Sequence, residues 1–124
     1  MANHKNRRLQ RLSFLGFGSY PSYLSSKIWK SIRVRILIEH PNCIICDEKA
    51  TIVHHSNYAT ETLQGLFDEG LHSLCHSSHR TIEWEGNKKI DSLCEVNKRL
   101  RRLAKLFGKH VKFADWIKFA NRNN

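Results

Sequence analysis

The sequence predicts a small α+β domain in which a two-stranded antiparallel sheet lies beside a cysteine-containing turn and is flanked by helices. Three observations predict this class. Two short extended segments, 50–55 and 71–74, are separated by a stretch rich in turn-forming residues. The pair Cys43 and Cys46 comes shortly before the first of them. Segments with helical spacing of apolar residues lie on both sides, and 124 residues are enough for one domain with a modest core.

The charge of the chain restricts its partners and its location. A formal net charge of +10 indicates a polyanionic partner, and a basic helix on a membrane surface is the other standard interpretation. No run of residues is long and apolar enough to cross a bilayer, and no signal-peptide core follows the basic segment 1–8. We therefore expect no membrane partner and an intracellular, cytoplasmic location. In that reducing compartment a C-x-x-C pair indicates a metal site rather than a disulfide.

The elements before the cysteine turn are predicted to be helical. Residues 1–19 form a basic N-terminal arm, for which a mobile segment, a short helix ending in a loop and a disordered tail all stay open. Ser26 then caps a helix that runs to about Glu39, and His40-Pro41-Asn42 ends it. The core stripe of this helix is expected to contain Ile28, Trp29, Ile32 and Ile36.

The central elements alternate between turns and strands. The segment from Cys43 to Lys49 is typical of a zinc-knuckle turn. β-Branched residues predict a strand over 50–55, followed by an irregular loop over 56–70 and a second strand over 71–74. A helix begins at Cys75 or His76 and continues to Trp84, where Gly86-Asn87 breaks it.

Two further helices are predicted at the C-terminal side. Ser92 and Glu95 have the spacing of a capping box, and Gly108 ends the helix that they begin. Residues 108–124 are expected to form a separate C-terminal amphipathic helix. The packing positions are Leu93, Val96, Leu100, Leu103 and Phe107 in the first helix, and Phe113, Trp116, Ile117 and Ala120 in the second.

Three cysteines predict a structural zinc site. A structural zinc ion takes four nitrogen or sulfur ligands, commonly two from each of two short turns. Cys43 and Cys46 supply one pair and Cys75 begins the second, but Ser78 stands where its partner would be. His76, Cys94 or a water molecule would complete the shell. The other interpretation is that zinc binding has been lost and the thiols are simply buried.

Three histidines and one glutamate predict a second metal site with a base beside it. Adjacent residues on a strand point to opposite faces, so His54 and His55 must have different roles. His79 and Glu83 are four residues apart and share one face of a helix, as a divalent-metal half-site requires. We expect His54, His79 and Glu83 around one ion and His55 beside it as a general base, a combination that hydrolyses phosphodiesters.

The spacing of these segments resembles the HNH endonuclease family. The resemblance rests on C-x-x-C, Ala50-Thr51-Ile52-Val53-His54-His55-x-x-Tyr58 and Leu74-Cys75-x-x-Ser78-His79-x-x-Ile82-Glu83. Upstream, Tyr23-Leu24-x-Ser26-x-x-Trp29-x-x-x-Arg33 is similar to the lead-in helix of many small members. The segment 20–107 is thereby identified as an HNH nuclease domain with its lead-in and following helices.

The resemblance implies a ββα-metal fold, in which two antiparallel strands and a helix surround one divalent cation and a zinc ion often braces the domain. It implies that His55 is the general base and that His54 and His79 hold a catalytic Mg²⁺ or Mn²⁺, with Glu83 as a further ligand. It also implies a metal-dependent endonuclease acting on double-stranded DNA. Small free-standing members of this kind include homing endonucleases and packaging-associated nucleases of phages, which act inside a bacterial or phage-infected cell.

Two positions depart from the family pattern. Ser78 replaces the second cysteine of the usual Cys-x-x-Cys-His, and Gly70 falls where the middle Asn of the family name would orient the base. Either Asp68 or Glu69 would then take over the orienting role, or the loop has another register. Both departures suit an alternative, a catalytically decayed, zinc-braced nucleic-acid-binding module. A third interpretation, a basic structural protein with buried thiols, leaves the paired histidines unexplained.

Basic residues flank the central segment on both sides. We expect Arg33 and Arg35 before it, and Arg99 and Arg102 after it, to contact DNA phosphates. Such contacts give salt-dependent affinity but little sequence information. No recognition helix is identifiable, so any sequence preference would come from the N-terminal arm or from residues 92–124.

Overall fold

The computed structural model describes residues 4–111, and the predicted helix from Phe113 to Ala120 lies outside them. The helices in the described residues are α1 (His4–Phe14), α2 (Tyr20–Leu24), α3 (Lys27–Glu39), α4 (Thr60–Leu63), α5 (His76–Glu83) and α6 (Leu93–Leu106). The strands there are β1 (Ile52–His55), β2 (Leu71–Leu74), β3 (Trp84–Glu85) and β4 (Lys88–Lys89), and a 3₁₀ turn spans Asp68–Gly70. The predicted α+β class is confirmed.

The strands β1 and β2 form the sheet that organises the centre of the molecule. They pair antiparallel, with Ile52 opposite Leu74 and His55 opposite Leu71. Because successive side chains of a strand point to opposite faces, His54 and His55 project to the two sides of this sheet. The second strand has the predicted bounds, whereas the first begins two residues later than residue 50.

Two apolar clusters lie against the opposite faces of the sheet. The first combines side chains from α1, α2 and α3 with one face, and the second combines α5, α6 and the cysteine turn with the other. The first cluster includes Leu12, Tyr23, Trp29, Ile36, Val53 and Leu71. The second includes Ile45, Leu74, Ile82, Val96, Leu100 and Ala104. Helices thus pack against both faces of this sheet, whose two strands have only four residues each.

The two long helices begin where the sequence predicts. The Ser26 hydroxyl accepts a hydrogen bond from the Trp29 amide at 3.2 Å, and the Ser92 hydroxyl accepts one from the Glu95 amide at 3.2 Å. Each such cap contributes about 1 kcal/mol to helix stability. Ile28, assigned to the core stripe, is 51% exposed. A row of residues four apart drifts around the helix, so Ile28 lies about 80° from Ile36 and faces away from the sheet.

The N-terminal segment is a packed helix. α1 covers His4–Phe14, and the side chain of Leu12 is completely buried in the first apolar cluster. Leu15 and Phe17 continue this packing along the connection to α2. The helix alternative therefore describes residues 4–14. At the end of α6, Phe107, which the sequence placed in the core stripe, is 53% exposed because it follows the last turn of that helix.

The stretch 56–70, predicted to be an irregular loop, contains α4 and the 3₁₀ turn. Asn57 organises it, because its Oδ1 accepts hydrogen bonds from the Ala59 amide at 3.1 Å and the Thr62 hydroxyl at 2.7 Å. Such Asn side-chain turns carry no hydrophobic period, so the pattern did not reveal them. Gly86, assigned as a helix breaker, has φ of +58° and forms the turn that joins β3 to β4.

Position 70 requires glycine for reasons of space. A Cβ atom at Gly70 would lie 2.6 Å from Asn57 Nδ2 and 2.8 Å from Thr62 Cγ2. We expect Gly70→Ala to lower the free energy of unfolding by about 1–3 kcal/mol, the usual effect of overpacking a filled core. Gly18→Ala is the matched control, because no atom lies within 4 Å of a Cβ there. Urea denaturation of the two variants measures the difference, and equal midpoints would contradict the close packing at position 70.

Candidate metal centres and the adjoining cleft

His54, His79 and Glu83 come together between β1 and α5. Their ligand atoms all lie within 4.8 Å of one another. Glu83 Oε1 is 3.7 Å from His54 Nδ1 and 3.3 Å from His79 Nε2. Two ligands about 2.1 Å from an ion are separated by about 3.0–3.4 Å in octahedral or tetrahedral geometry, so this arrangement needs only small shifts to hold one. The three residues could therefore bind a metal ion, as the sequence predicted.

Secondary structure places each of these three side chains. β1 turns His54 toward α5, and the four-residue spacing on α5 puts His79 and Glu83 on the helix face that meets the strand. Asn97 on α6 fixes the ring of His54. Its Nδ2 donates to the Ser56 carbonyl at 2.8 Å, so its Oδ1 is left to accept from His54 Nε2 at 3.4 Å. The lone pair of His54 Nδ1 then faces Glu83, which is the orientation that a metal ligand needs.

The charge states of this group suit a cation. Burial lowers the pKa of His54 to about 4, despite the nearby Glu83 carboxylate, so the ring is neutral at neutral pH. Burial would raise the pKa of Glu83, but its hydrogen bond with His79 and the neighbouring basic groups outweigh that effect and hold the pKa below its usual value. The neutral imidazole of His54 and the ionised carboxylate of Glu83 are forms that coordinate metal ions.

His55 lies on the other face of β1 inside an aromatic enclosure. It is 3% exposed, and its ring packs against Tyr20, Tyr23, Trp29 and Tyr58, with the Trp29 centroid at 4.5 Å. Its Nδ1 is 3.1 Å from the Tyr20 hydroxyl, and its Nε2 is 3.4 Å from the Tyr23 hydroxyl. Burial, followed by the nearby charges of His54 and Arg8, lowers the pKa of His55 to about 3.

The two histidines of β1, His54 and His55, both line one cleft. This cleft has a volume of about 560 Å³ and is lined by His54, His55, His79 and Glu83. Its walls also carry the cationic side chains of Arg8, Arg33 and Lys89. The Arg8 guanidinium lies 3.9 Å from the centroid of the Tyr20 ring and 5.2 Å from that of Tyr58. A candidate base, a candidate metal site and three cations thus face the same space.

The cysteines form a second group that could bind a metal ion. The Sγ atoms of Cys43, Cys46 and Cys75 all lie within 4.8 Å of one another, and Cys46 and Cys75 are 3.6 Å apart. Two sulfurs at about 2.3 Å from a tetrahedral zinc ion are separated by about 3.8 Å, so the geometry fits. Burial would raise the pKa of the Cys43 thiol, but hydrogen bonds from the Cys75 and Cys46 amides lower it to about 7, which favours the metal-binding thiolate.

Ser78, rather than either predicted fourth ligand, borders this group. The Ser78 hydroxyl is 3.2 Å from Cys75 Sγ and 3.7 Å from Cys46 Sγ. His76 and Cys94 are both exposed, and neither belongs to the cluster of ligand atoms found among residues 4–111. The expectation that one of them completes the shell is therefore not met, because the first turns of α5 and α6 direct these side chains to solvent.

Three of the four arginines predicted to bind DNA pair with the protein's own carboxylates. Arg35 contacts Asp68 at 2.8 and 3.0 Å, Arg99 contacts Glu85 at 2.7 Å, and Arg102 contacts Glu95 at 3.0 Å. Arg33 lines the cleft and donates to the Thr51 carbonyl at 2.7 Å. Sequence reasoning missed the cleft cations Arg8 and Lys89, since only the folded chain brings them to the site.

The side chains predicted to replace the orienting Asn do not reach His55. Asp68 pairs with Arg35, and Glu69 is exposed and lines a different groove, beside His72. The hydrogen-bond partners of the His55 ring within residues 4–111 are the two tyrosines of α2. The sequence signal that was available is Tyr23 itself, which belongs to the lead-in segment of the resemblance but was given no role there.

Comparisons with protein-family models, curated proteins and solved structures found no match to this chain. The resemblance to HNH endonucleases therefore depends on the spacing of the residues and on the geometry around them. Within the described residues, every helix is too short or too polar to cross a membrane.

The buried side chain of His72 allows the effect of burial on histidine protonation to be measured. It lies opposite His54 in the sheet, is 5% exposed, and its Nε2 is 2.9 Å from the Ser56 hydroxyl. Burial, followed by the charge of His54, lowers the pKa of His72 to about 3. The unfolded chain takes up a proton here near pH 6.5 while the folded chain does not, so the folded state loses stability as the pH falls from about 6.5 toward 3.

We expect the free energy of unfolding to fall by about 1.4 kcal/mol per pH unit for each such histidine below pH 6, and to change little from this cause above pH 7.5. Urea denaturation at a series of pH values measures the slope. His72→Asn should flatten it, whatever its effect at neutral pH, whereas His76→Gln, a change of an exposed histidine, should not. An unchanged slope in the His72 variant would contradict the burial argument.

Proposed function

We propose that the protein is a metal-dependent endonuclease of the HNH type that hydrolyses phosphodiester bonds in double-stranded DNA, with β1, β2 and α5 as a ββα-metal unit. One observation carries the proposal. A single cleft is lined by a three-ligand metal set and by a neutral histidine that comes from the next position of the same strand. General acid–base catalysis and a cation are the two components that phosphodiester hydrolysis requires.

His54, His79 and Glu83 would hold the catalytic divalent ion. Two imidazole nitrogens with one carboxylate oxygen favour a transition ion such as Mn²⁺ over Mg²⁺, which prefers oxygen ligands. When bound, the ion supplies positive charge next to the scissile phosphate and its leaving oxygen. Asn97 supports the site by keeping the Nδ1 lone pair of His54 directed at it.

His55 would take the proton from the attacking water. Its ring is neutral, so a lone pair is available, but a pKa near 3 makes it a weak base in the free protein. A DNA phosphate in the cleft would raise this pKa, because a negative charge nearby favours the protonated ring. Binding of the substrate therefore turns His55 into a more effective base at the moment when it is needed.

Double-stranded DNA is the substrate that the charges favour. Arg8, Arg33 and Lys89 surround the cleft, and the chain as a whole carries a formal net charge of +10. Neutralising phosphates with such side chains releases counterions, so affinity should decrease steeply with salt. The pairing of Arg35, Arg99 and Arg102 with carboxylates makes the cleft arginines Arg8 and Arg33 the first candidates for phosphate contacts. The third cleft cation, Lys89, lies 3.9 Å from a Glu83 carboxylate oxygen.

The cysteine group would hold a structural zinc ion, with the Ser78 hydroxyl at the position of the fourth ligand. Cys75 is also the N-cap of α5, where its sulfur accepts a hydrogen bond from the Ser78 amide at 3.4 Å. Zinc there would tie the start of α5 to the turn that precedes β1. This link through zinc would help to hold His79 and Glu83 of α5 against β1.

A second candidate function is a nucleic-acid-binding module whose catalytic step has been lost. The observation that favours it is the enclosure of His55, which is 3% exposed and contacts a tyrosine hydroxyl at each ring nitrogen. The two functions make the same prediction for DNA binding and opposite ones for cleavage.

Cleavage of supercoiled plasmid in the presence of Mn²⁺ or Mg²⁺ decides between them. We expect the parent protein to nick or linearise the plasmid, with faster cleavage in Mn²⁺. His55→Ala should lower the rate by about 10²–10⁴-fold because the base is lost. Glu83→Gln should lower it by weakening the metal site, and Glu69→Gln, a change outside the cleft, should leave it unchanged.

Gel-shift assays on the same proteins complete the test. The parent, the His55 variant and the Glu69 variant should bind DNA equally in the presence of Ca²⁺, so that loss of cleavage is not loss of binding. Equal binding without cleavage by the parent in either metal would exclude the nuclease and leave the binding module.

Metal analysis tests the zinc proposal independently of DNA. We expect purified parent protein to contain about one zinc ion per chain, and Cys43→Ser to lose it. Ser78→Cys should retain zinc at higher chelator concentration, because a thiolate binds zinc better than a hydroxyl does. Cys94→Ser is the control and should behave like the parent; zinc-free parent protein would contradict the proposal.

A further inference from the structure

The hydroxyl groups of two tyrosines of α2 contact the two ring nitrogens of His55, one at each nitrogen. Tyr20 Oη is 3.1 Å from Nδ1, and Tyr23 Oη is 3.4 Å from Nε2. A neutral imidazole carries its proton on one nitrogen and a lone pair on the other. The two hydroxyls therefore decide which nitrogen of His55 can act as a base.

The hydroxyl of Tyr23 can only accept a hydrogen bond from His55. Its single proton is donated to the Leu63 carbonyl at 2.8 Å. Tyr23 is completely buried, and its ring is held between Phe17, with centroids 5.4 Å apart, and Trp29, at 5.6 Å. The hydroxyl thus has no freedom to turn away from this carbonyl. The contact between Tyr23 and His55 is therefore a hydrogen bond only when Nε2 carries the proton, because otherwise two lone pairs would face each other.

The lone pair of His55 is then on Nδ1, where Tyr20 is the donor. Tyr20 lines the cleft that contains the metal ligands, whereas Tyr23 does not. The protonated nitrogen therefore faces the protein interior, and the basic nitrogen faces the side where a substrate would bind. This is the arrangement that a general base needs.

We propose that Tyr23 is a positioning residue, which fixes His55 as the Nε2–H tautomer and directs its basic Nδ1 toward the cleft. Tyr23 thereby provides the contact that orients the base, a role that the family pattern gives to the middle Asn. Gly70, which stands at that position here, has no side chain to provide it. The tautomer follows from the hydrogen bonds alone, while its importance for catalysis rests on the proposed nuclease function.

The proton transfer balances in this geometry. A water molecule replaces the Tyr20 hydroxyl as the hydrogen-bond partner of Nδ1 and gives its proton to that nitrogen as its oxygen bonds to phosphorus. The bond from phosphorus to the leaving oxygen breaks, and that oxygen keeps the electron pair and takes up a proton from solvent. The imidazolium that forms keeps its Nε2–H on Tyr23 and afterwards gives the proton on Nδ1 back to solvent. The lone pair of the Tyr23 hydroxyl stabilises this positive charge.

The tautomer can be measured without DNA. In protein labelled with ¹⁵N-histidine, two-bond ¹H–¹⁵N spectra at pH 7.5 distinguish the two neutral tautomers, and the spectrum of His55→Ala identifies the His55 signals. We expect the parent to show the Nε2–H form. Tyr20→Phe should retain it, because Tyr23 still accepts from Nε2. Tyr23→Phe removes that acceptor and should raise the fraction of the Nδ1–H form.

The parent spectrum alone can overturn the inference, if His55 is found as the Nδ1–H tautomer. A Tyr23→Phe protein that is folded by circular dichroism and keeps the parent tautomer would overturn it too. These results do not depend on whether the protein cleaves DNA, so failure of the proposed function and failure of this inference are distinguishable.

Plasmid cleavage then tests the catalytic consequence. Tyr23→Phe should lower kcat by about 10- to 100-fold with KM unchanged, a range like that for loss of the hydrogen-bond partner of a metal-ligating histidine. Tyr20→Phe, which changes the other hydroxyl and leaves the tautomer intact, should lower it less. Equal effects of the two substitutions on kcat would contradict a special role of Tyr23.

Discussion

The alternation of side chains along β1 is the constraint on which the rest of the site depends. It sends His54 to the α5 side of the sheet and His55 to the α2 side, although the two residues are adjacent. Each histidine is then fixed by a different element: Asn97 of α6 orients the first, and Tyr23 of α2 orients the second. A shift of one residue in the register with β2 would exchange the two faces, so the short ladder from Ile52 to His55 determines the chemistry on both sides.

Candidate ligands connect α5 to the rest of the molecule at both ends. Cys75 precedes its first turn and belongs to the sulfur group, while His79 near its middle and Glu83 at its end meet His54. Between these points the helix contributes Ile82 to the second apolar cluster. A helix of eight residues has little stability of its own, so its position depends on such tertiary contacts. Metal binding at either end would therefore also stabilise the geometry at the other.

Much of this arrangement could be predicted from local patterns. The four-residue spacing of His79 and Glu83, the alternation at His54 and His55, and the serine caps each depend on neighbours in sequence, and the structure agrees with them. The positions of Arg8, Tyr20 and Asn97 depend instead on how α1, α2 and α6 pack, which no local period encodes. The same limit explains why His76 and Cys94, two of the alternatives for the fourth zinc ligand, lie outside the sulfur group, since spacing alone does not say to which side a helix turn directs a side chain.

The burial of His55 connects the packing of the core to the proposed reaction. Enclosing an imidazole among four aromatic rings lowers the pKa of His55 to about 3 and so keeps the ring neutral, while the tyrosine hydroxyls within this enclosure contact its two nitrogens. A base this weak is poorly matched to neutral pH in the free protein. The enclosure thus fixes the orientation of the His55 ring but lowers its basicity. An anionic phosphate placed next to Nδ1 offsets that loss, because the charge that desolvation disfavours is then paired with the substrate. In the proposed reaction His55 would be a competent base only when the cleft is occupied, so its enclosure is compatible with the proposed catalysis.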